Sequence, residues 1–212
     1  MKALVIGATG ATGKFLTEEL LKDRDYTAVA IFVRKPTGRQ HPKLTEHLID
    51  FSNVGFYREE IKGDVLFSCL GTTLKAAGSK EEQWKIDFDI PAAFAAIAKE
   101  NGVHSFVLVS STGANSKSGV FYSKMKGRLE EKIAEVNFNQ YIIFRPGPLL
   151  REGSDRAGEK IMAATLCLLN SIGLLRKYKP LPTELLAEKL AKAPKILKDG
   201  ITVIELEKIT AF

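Results

Sequence analysis

A glycine-rich turn close to the amino terminus constrains this chain more than any other segment. Gly7, Gly10 and Gly13 follow a short apolar run at residues 3–6, and the apolar residues after them recur at helical spacing. A strand, a glycine turn and a helix in this order are typical of the first unit of a dinucleotide-binding fold. Glycine turns also serve plain strand-to-helix connections, so the motif favours a nucleotide site without requiring one.

Each glycine has a physical reason to be there. Gly7 permits the tight turn, Gly10 lets the backbone approach a pyrophosphate, and Gly13 lets the helix pack closely on the strand. The free N–H groups and the dipole at the helix start would then hold the phosphates. The residues expected to contact the cofactor here are Gly7, Ala8, Thr9, Gly10, Ala11, Thr12 and Gly13.

The same segment does not fit the phosphate-binding loop of nucleoside triphosphatases. That motif needs a glycine where this chain has Ala8, and a serine or threonine after Lys14, where this chain has Phe15. The sequence therefore favours a dinucleotide over a nucleoside triphosphate with magnesium.

Composition narrows the class of protein. The chain has 212 residues, 45% of them hydrophobic and 26% charged, as expected for one soluble globular domain. Its net charge of +6 is spread among acidic residues, so we expect no nucleic-acid partner. The most apolar stretch, residues 161–175, is too short and too interrupted to span a bilayer, and no secretion-signal pattern is present. We expect a cytoplasmic protein, either a monomer or a homodimer.

Short apolar runs alternate with helical patterns along most of the chain. This alternation predicts an α/β fold, a Rossmann-type doubly wound parallel sheet with a small C-terminal cap. The predicted strands are 2–6, 28–33, 46–49, 64–69, 105–110, 140–145 and 202–206. The predicted helices are 13–21, 91–101, 122–136 and one near 182–197.

The chain is expected to form a single domain over residues 1–212. Residues 1–150 would be the cofactor-binding core. Residues 151–212 would form a small substrate cap, completing the same fold, over the carboxyl ends of the strands, where ligands bind in such sheets.

The end of the second strand bears on the choice of cofactor. A site that prefers NAD(H) places a carboxylate there to accept the ribose hydroxyls, whereas this chain has Arg34 and Lys35. Arginine can grip a 2′-phosphate and stack on adenine, so we expect NADP(H) to be preferred over NAD(H). Two ordinary surface cations are the alternative. Asp50 and Phe51, after the third strand, are expected to flank the adenine.

Two further strand ends contribute expected cofactor contacts. Leu70, Gly71 and Thr72 follow the fourth strand, and Gly71 either leaves room for the ribose and diphosphate or serves only as a turn residue. Pro146, after the sixth strand, either shapes the wall beside the nicotinamide or turns the chain.

Cys69 is expected to be an inert core thiol. The histidines, cysteines and carboxylates show no metal-ligand spacing, so no metal is expected.

Tyr122 and Lys126 form the candidate proton-transfer pair. Their i, i+4 spacing places phenol and ammonium on one helical face, where the cation would stabilise a phenolate. A free tyrosine has a pKa of about 10, so such help is needed near neutral pH. Lys126 would also bind the nicotinamide ribose, and Ser110 or Ser111 at the end of the fifth strand would orient a carbonyl or alcohol. An ordinary amphipathic helix is the alternative.

Taken together, these motifs resemble the atypical short-chain dehydrogenase/reductases. Within them, the chain is similar to the NAD(P)H-binding branch that includes the HIV Tat-interactive protein, notably at residues 68–73 and 144–150. The resemblance implies that Tyr122 is the proton donor and acceptor, that Lys126 is its partner, and that Ser111 polarises the substrate oxygen, with Ser110 the less favoured choice. It also implies that Arg156 contacts the cofactor.

The activity implied is NADPH-dependent oxidation or reduction of a small carbonyl or alcohol substrate that the sequence does not identify. Two other functions remain open. One is an NADPH-binding redox sensor or regulatory protein with little or no catalysis, whose partner would contact residues 161–175. The other is a sugar-nucleotide epimerase or dehydratase, which is disfavoured because the region after the sixth strand is short.

Overall fold

The computed structural model describes residues 1–150 and 180–212. The strands are β1 (Lys2–Ile6), β2 (Ala28–Val33), β3 (Leu44–Leu48), β4 (Val65–Ser68), β5 (Ser105–Val109), β6 (Gln140–Arg145), β7 (Leu149–Leu150), β8 (Leu181–Pro182) and β9 (Gly200–Glu205). The helices are α1 (Ala11–Lys22), α2 (Leu74–Ala77), α3 (Lys80–Trp84), α4 (Ile90–Glu100), α5 (Phe121–Val136), α6 (Thr183–Ile196) and α7 (Glu207–Ala211). A 3₁₀ segment spans Phe51–Tyr57, and a π-helical turn, Lys85–Asp89, joins α3 to α4.

Within the described residues, seven strands form one parallel sheet in the order β3-β2-β1-β4-β5-β6-β9. The chain first builds outward from β1 to β3, then returns to place β4 on the other side of β1. The strand order therefore reverses between β1 and β4, where ligands bind in open α/β sheets. This is the Rossmann-type doubly wound fold predicted from the alternation of strands and helices.

Among the described residues, two apolar cores cover the two faces of the sheet, and the alternation within β1 shows how they are divided. Ala3 and Val5 pack in the core that contains α1 and α6, whereas Leu4 and Ile6 pack in the core that contains α4 and α5. Strand side chains alternate between faces, so a strand covered on both sides must be apolar throughout. This accounts for the continuous apolar runs of β1 and β2.

Residues 180–212 add to the same sheet. Strand β9 pairs in parallel with β6 at one edge, and α6 packs against α1, where the hydroxyl of Tyr26 donates to the carbonyl of Ala191 at 2.8 Å. A ladder between β7 and β8 lies at the point where the chain leaves the sheet after β6. The expected cap over the strand ends remains a prediction, because residues 151–179 lie outside the described part of the chain.

The π-helical turn before α4 was not predicted. Pro91 has no N–H and cannot donate to the carbonyl of Asp87, which an α-helix would require. The helix widens instead, and the N–H of Ile90 donates to the carbonyl of Lys85, five residues earlier. The turn places Asp87 in the interior of the protein.

Candidate active site

The glycine turn after β1 is held at very close approach. Gly7 has φ = +80°, and a Cβ there would lie 2.6 Å from the carbonyl carbon of Cys69, in the chain leaving β4. A Cβ on Gly13 would lie 2.1 Å from the carbonyl oxygen of Gly7. No real Cβ makes such contacts with backbone, so α1 can pack against this turn only if glycine occupies both positions.

The start of α1 presents main-chain donors. Gly10 is its N-cap and offers no side chain, and the N–H of Lys14 makes the first intrahelical bond, to the carbonyl of Gly10 at 3.0 Å. The N–H groups of Ala11, Thr12 and Gly13 have no intrahelical acceptor, and the first turn contains no acidic residue. This end of the helix fits an anionic diphosphate.

A groove with a volume of about 960 Å³ crosses the carboxyl ends of β1, β2 and β4. This size suits a small-molecule or cofactor site. The groove brings together eight of the residues expected to bind the cofactor: Gly7, Thr9, Gly10, Arg34, Phe51, Leu70, Gly71 and Thr72. A Cβ on Gly71 would meet nothing within 4 Å, so this glycine faces open space.

Other residues expected at the cofactor are not part of the groove lining. Ala8, Ala11, Thr12 and Gly13 form the turn and helix start beneath it, and Lys35 is exposed beside it. Pro146 is buried, and its carbonyl accepts from the N–H of Thr112 at 2.9 Å, which ties the ends of β5 and β6 together. Arg156 lies outside the described residues.

The segment after β3 holds one wall of the groove. The carboxylate of Asp50 accepts from the main-chain N–H of Ser52 at 2.9 Å and from its hydroxyl at 2.7 Å. These hydrogen bonds hold the pKa of Asp50 below its usual value. Asp50 thus caps the 3₁₀ segment that presents Phe51. The next residues, 52–55, also line this wall, and no pattern in the sequence marks them.

Tyr122 and Lys126 lie on one face of α5. The Lys126 ammonium is 5.9 Å from the centre of the Tyr122 ring. The lysine side chain is only 2% exposed, whereas Tyr122 is 37% exposed. Neither residue lines the groove, and neither does Ser111, whose half-buried hydroxyl lies 3.3 Å from the carbonyl of Thr112.

Ser110 belongs to a buried ionic network. Its hydroxyl donates to Glu130 at 2.5 Å, and the same carboxylate accepts two hydrogen bonds from Arg145, at 3.0 and 2.6 Å. The Glu130 carboxylate raises the pKa of Arg145. Ser110 is therefore engaged with α5 inside the protein, whereas Ser111 takes no part in this network.

Asp87 and Gln83 connect the groove to α5, and neither was expected from the sequence. The Asp87 carboxylate accepts from the main-chain N–H of Thr72 at 2.8 Å, and Gln83 donates to the carbonyl of Thr72 at 3.0 Å. The other Asp87 oxygen lies 3.8 Å from the Lys126 ammonium. Burial raises the pKa of Asp87, and Lys126 opposes that shift. The only sequence signal was Pro91, four residues after Asp87.

The chain matches a family model described as NAD(P)H-binding over residues 7–165. It is 35% identical to the mitochondrial protein FMP52 of Chaetomium globosum, over 93% of this chain and 88% of that one. It is 34% identical to the protein HTATIP2 of Rattus norvegicus, over 73% of this chain and 66% of that one. These relatives agree with the resemblance identified from the sequence.

Solved structures share the fold at low identity. The Bordetella bronchiseptica enzyme WbmH, in complex with NAD+, superposes with a TM-score of 0.73 at 16% identity, over 96% of this chain and 75% of that one. The oxidoreductase ylbE of Lactococcus lactis superposes with a TM-score of 0.56 at 21% identity, over 73% of each chain. At these identities the likeness supports the fold alone.

The comparisons correct one expectation. The cytoplasmic location expected from the sequence is wrong, because the fungal relatives, including those of Saccharomyces cerevisiae and Aspergillus terreus, are mitochondrial proteins by name. The absence of a signal pattern was a weak basis for that expectation.

Among the helices of residues 1–150 and 180–212, none is long and apolar enough to cross a membrane. The same residues contain no grouping of three or more metal-ligating side chains.

Proposed function

The chain belongs to the NAD(P)H-binding family, and from this premise we propose that it is an NADPH-dependent oxidoreductase acting on a small carbonyl or alcohol substrate. The groove at the strand-order reversal between β1 and β4 carries the proposal. It brings together the N-cap of α1 at Gly10, an arginine after β2 and an open glycine after β4 along one surface, with the start of α1 beneath it. This order of groups suits a diphosphate flanked by two nucleosides.

Arg34 supports the preference for NADPH. It is exposed, lines the groove at the end of β2, and makes no ion pair or hydrogen bond with the residues that the structure describes. Its guanidinium would hold a 2′-phosphate by two hydrogen bonds. The main-chain N–H groups of Ala11, Thr12 and Gly13 would hold the diphosphate, and Phe51 would contact the adenine.

The cofactor would supply a hydride, and the protein would supply binding, orientation and proton transfer. Ser111 would donate a hydrogen bond to the substrate oxygen. In the reducing direction, the hydroxyl of Tyr122 would give its proton to that oxygen, and the Lys126 ammonium would stabilise the phenolate left behind. The network that engages Ser110 supports the choice of Ser111 for the first role.

Calorimetric titration with NADP+, NADPH, NAD+ and NADH tests the cofactor. Arg34→Asp should weaken NADPH binding at least tenfold, the loss expected for one charge-assisted contact to the 2′-phosphate, and should remove the preference over NADH. Arg24→Asp is a matched control, because it makes the same substitution at an exposed residue before the start of β2, outside the groove lining, and should have a smaller effect. Equal effects of the two variants would contradict the role of Arg34, and absence of binding by all four cofactors would refute the proposal.

Turnover tests the chemistry. With NADPH and a panel of aliphatic and aromatic aldehydes and ketones, Tyr122→Phe should lower the rate at least a hundredfold, the usual scale of general acid catalysis. Its affinity for NADPH should stay within about twofold of wild type, because the hydroxyl acts on the substrate. Tight binding of NADPH without turnover of any compound would favour the regulatory alternative, whose expected contact surface at 161–175 lies outside the described residues.

A further inference from the structure

We propose that Asp87 is a positioning residue for this reaction. One carboxylate oxygen holds the loop after β4, the other faces Lys126, and the negative charge favours the oxidised cofactor over the reduced one. This inference rests on the proposed function. It concerns a residue outside the groove lining that acts through Thr72 and Lys126.

Two buried side chains anchor the loop after β4 at Thr72. Asp87 accepts from the N–H of Thr72 at 2.8 Å, and Gln83 donates to the carbonyl of the same residue at 3.0 Å. Both main-chain polar groups of one groove residue are therefore held by two buried side chains. Asp87 and Gln83 come from the π-helical turn and from α3, so this region determines where the loop at Leu70 to Thr72 lies.

The second carboxylate oxygen of Asp87 faces the Lys126 ammonium. Among the described residues it has no hydrogen-bond partner, and it lies 3.8 Å from the Lys126 ammonium. The two side chains are 0% and 2% exposed. Burying a carboxylate is costly, and a neutral asparagine could accept the Thr72 N–H equally well. The hydrogen bond to the Thr72 N–H does not require a negative charge. The presence of a carboxylate at this position is therefore explained by the charge itself.

The order of residues along the groove indicates which end would hold the nicotinamide. Arg34 and Phe51 lie at the end where the adenosine would bind, and Thr72 lies towards the opposite end, nearest β5 and α5. The nicotinamide would therefore bind at the Thr72 end. The oxidised ring carries one positive charge that the reduced ring lacks, so a buried negative charge nearby favours the oxidised form. Lys126 opposes this effect, and the groove also contains Glu82, Lys85 and Asp89, of which Lys85 pairs with Glu82 at 2.6 Å.

The test measures the dissociation constants of NADP+ and NADPH for four proteins by calorimetry. In Asp87→Asn, the ratio of the NADP+ constant to the NADPH constant should rise about tenfold, which raises the potential of the bound two-electron couple by about 30 mV. In Gln83→Met, which disturbs the loop without a charge change, both constants should change by the same factor. In Lys126→Met the ratio should move in the opposite direction to that in Asp87→Asn.

The outcomes separate the inference from its premise. If wild type binds neither cofactor, the proposed function fails. If wild type binds both but Asp87→Asn changes the two constants equally, as Gln83→Met should, Asp87 only anchors the loop and the inference is overturned. Circular dichroism checks that each variant is folded. If Asp87→Asn does not fold, Asp87→Ser takes its place, because serine also lacks the charge and keeps an oxygen acceptor, and an unchanged ratio in that variant overturns the inference.

Discussion

Replacing Glu130 with glutamine would remove the negative charge from the network of Ser110, Glu130 and Arg145 while keeping the shape of the side chain. The Glu130 side chain is 7% exposed and its partner Arg145 is 26% exposed, with atoms as close as 2.6 Å. At an effective dielectric constant near 20, unit charges at that distance attract by about 6 kcal/mol. Partial exposure of the arginine and the burial cost of both ions reduce the net value.

We expect Glu130→Gln to lower the free energy of unfolding by about 3 kcal/mol, the lower end of the range for breaking a buried ion pair. The amide keeps one acceptor but turns a donor towards Arg145, so the paired hydrogen bonds cannot both form. For a chain of this size, that loss corresponds to a melting temperature lower by roughly 6–12 °C. The Ser110 hydroxyl would keep or lose its acceptor depending on how the amide is turned.

Urea unfolding followed by the fluorescence of the single tryptophan, Trp84, measures this change. Glu131→Gln is a matched control: the substitution is the same, but Glu131 is exposed and binds only Ser116 among the described residues. The control should change stability by no more than about 0.5 kcal/mol. If Glu130→Gln costs less than about 1 kcal/mol, or no more than the control, the network does not hold these strand ends as argued.

Three other predictions follow from the site. Gly13→Ala should lower the free energy of unfolding by about 1–3 kcal/mol and weaken NADPH binding, because the added Cβ would meet the backbone of Gly7. Gly71→Ala, whose Cβ would meet nothing, should fold with normal stability. Urea unfolding and calorimetry compare the two variants, and equal losses would show that close packing at Gly13 is not required. Cys69 lines the groove and is half-buried, so it is not the core thiol expected from the sequence. Because burial raises its pKa to about 12, its reactive thiolate is scarce at pH 8. With the other cysteine, Cys167, replaced by serine, iodoacetamide should label Cys69 much more slowly in the native protein than in urea, and equal rates would refute this. Ser111→Ala should lower turnover with little loss of stability, and unchanged turnover would remove its assigned role.

The fold was predictable because its determinants are local. The strands 2–6, 28–33 and 140–145 agree with β1, β2 and β6 to the residue, since apolar runs of this length bounded by turns define buried strands. The last strand was predicted at 202–206 and lies at Gly200–Glu205. Its pairing with β6 was beyond any local pattern, because the partners are far apart in sequence.

The candidate site was predictable only in part. The glycine turn and Arg34 were identified because their spacing along the chain reflects their function. The engagement of Ser110 with Glu130 was not, because twenty residues and a change of element separate them. Asp87 escaped for a similar reason: its importance depends on Thr72 and Lys126, which approach it only after the sheet has formed.

The short ladder between β7 and β8 has a consequence for how such a protein can diversify. Leu149 and Leu150 pair with Leu181 and Pro182, so two points about thirty residues apart in the sequence lie side by side. A connection inserted between two paired strands costs little extra to lengthen, since loop-closure entropy grows only slowly with length. Segments of different size could be exchanged between these two anchor points, altering what is recognised while the nucleotide platform stays as it is.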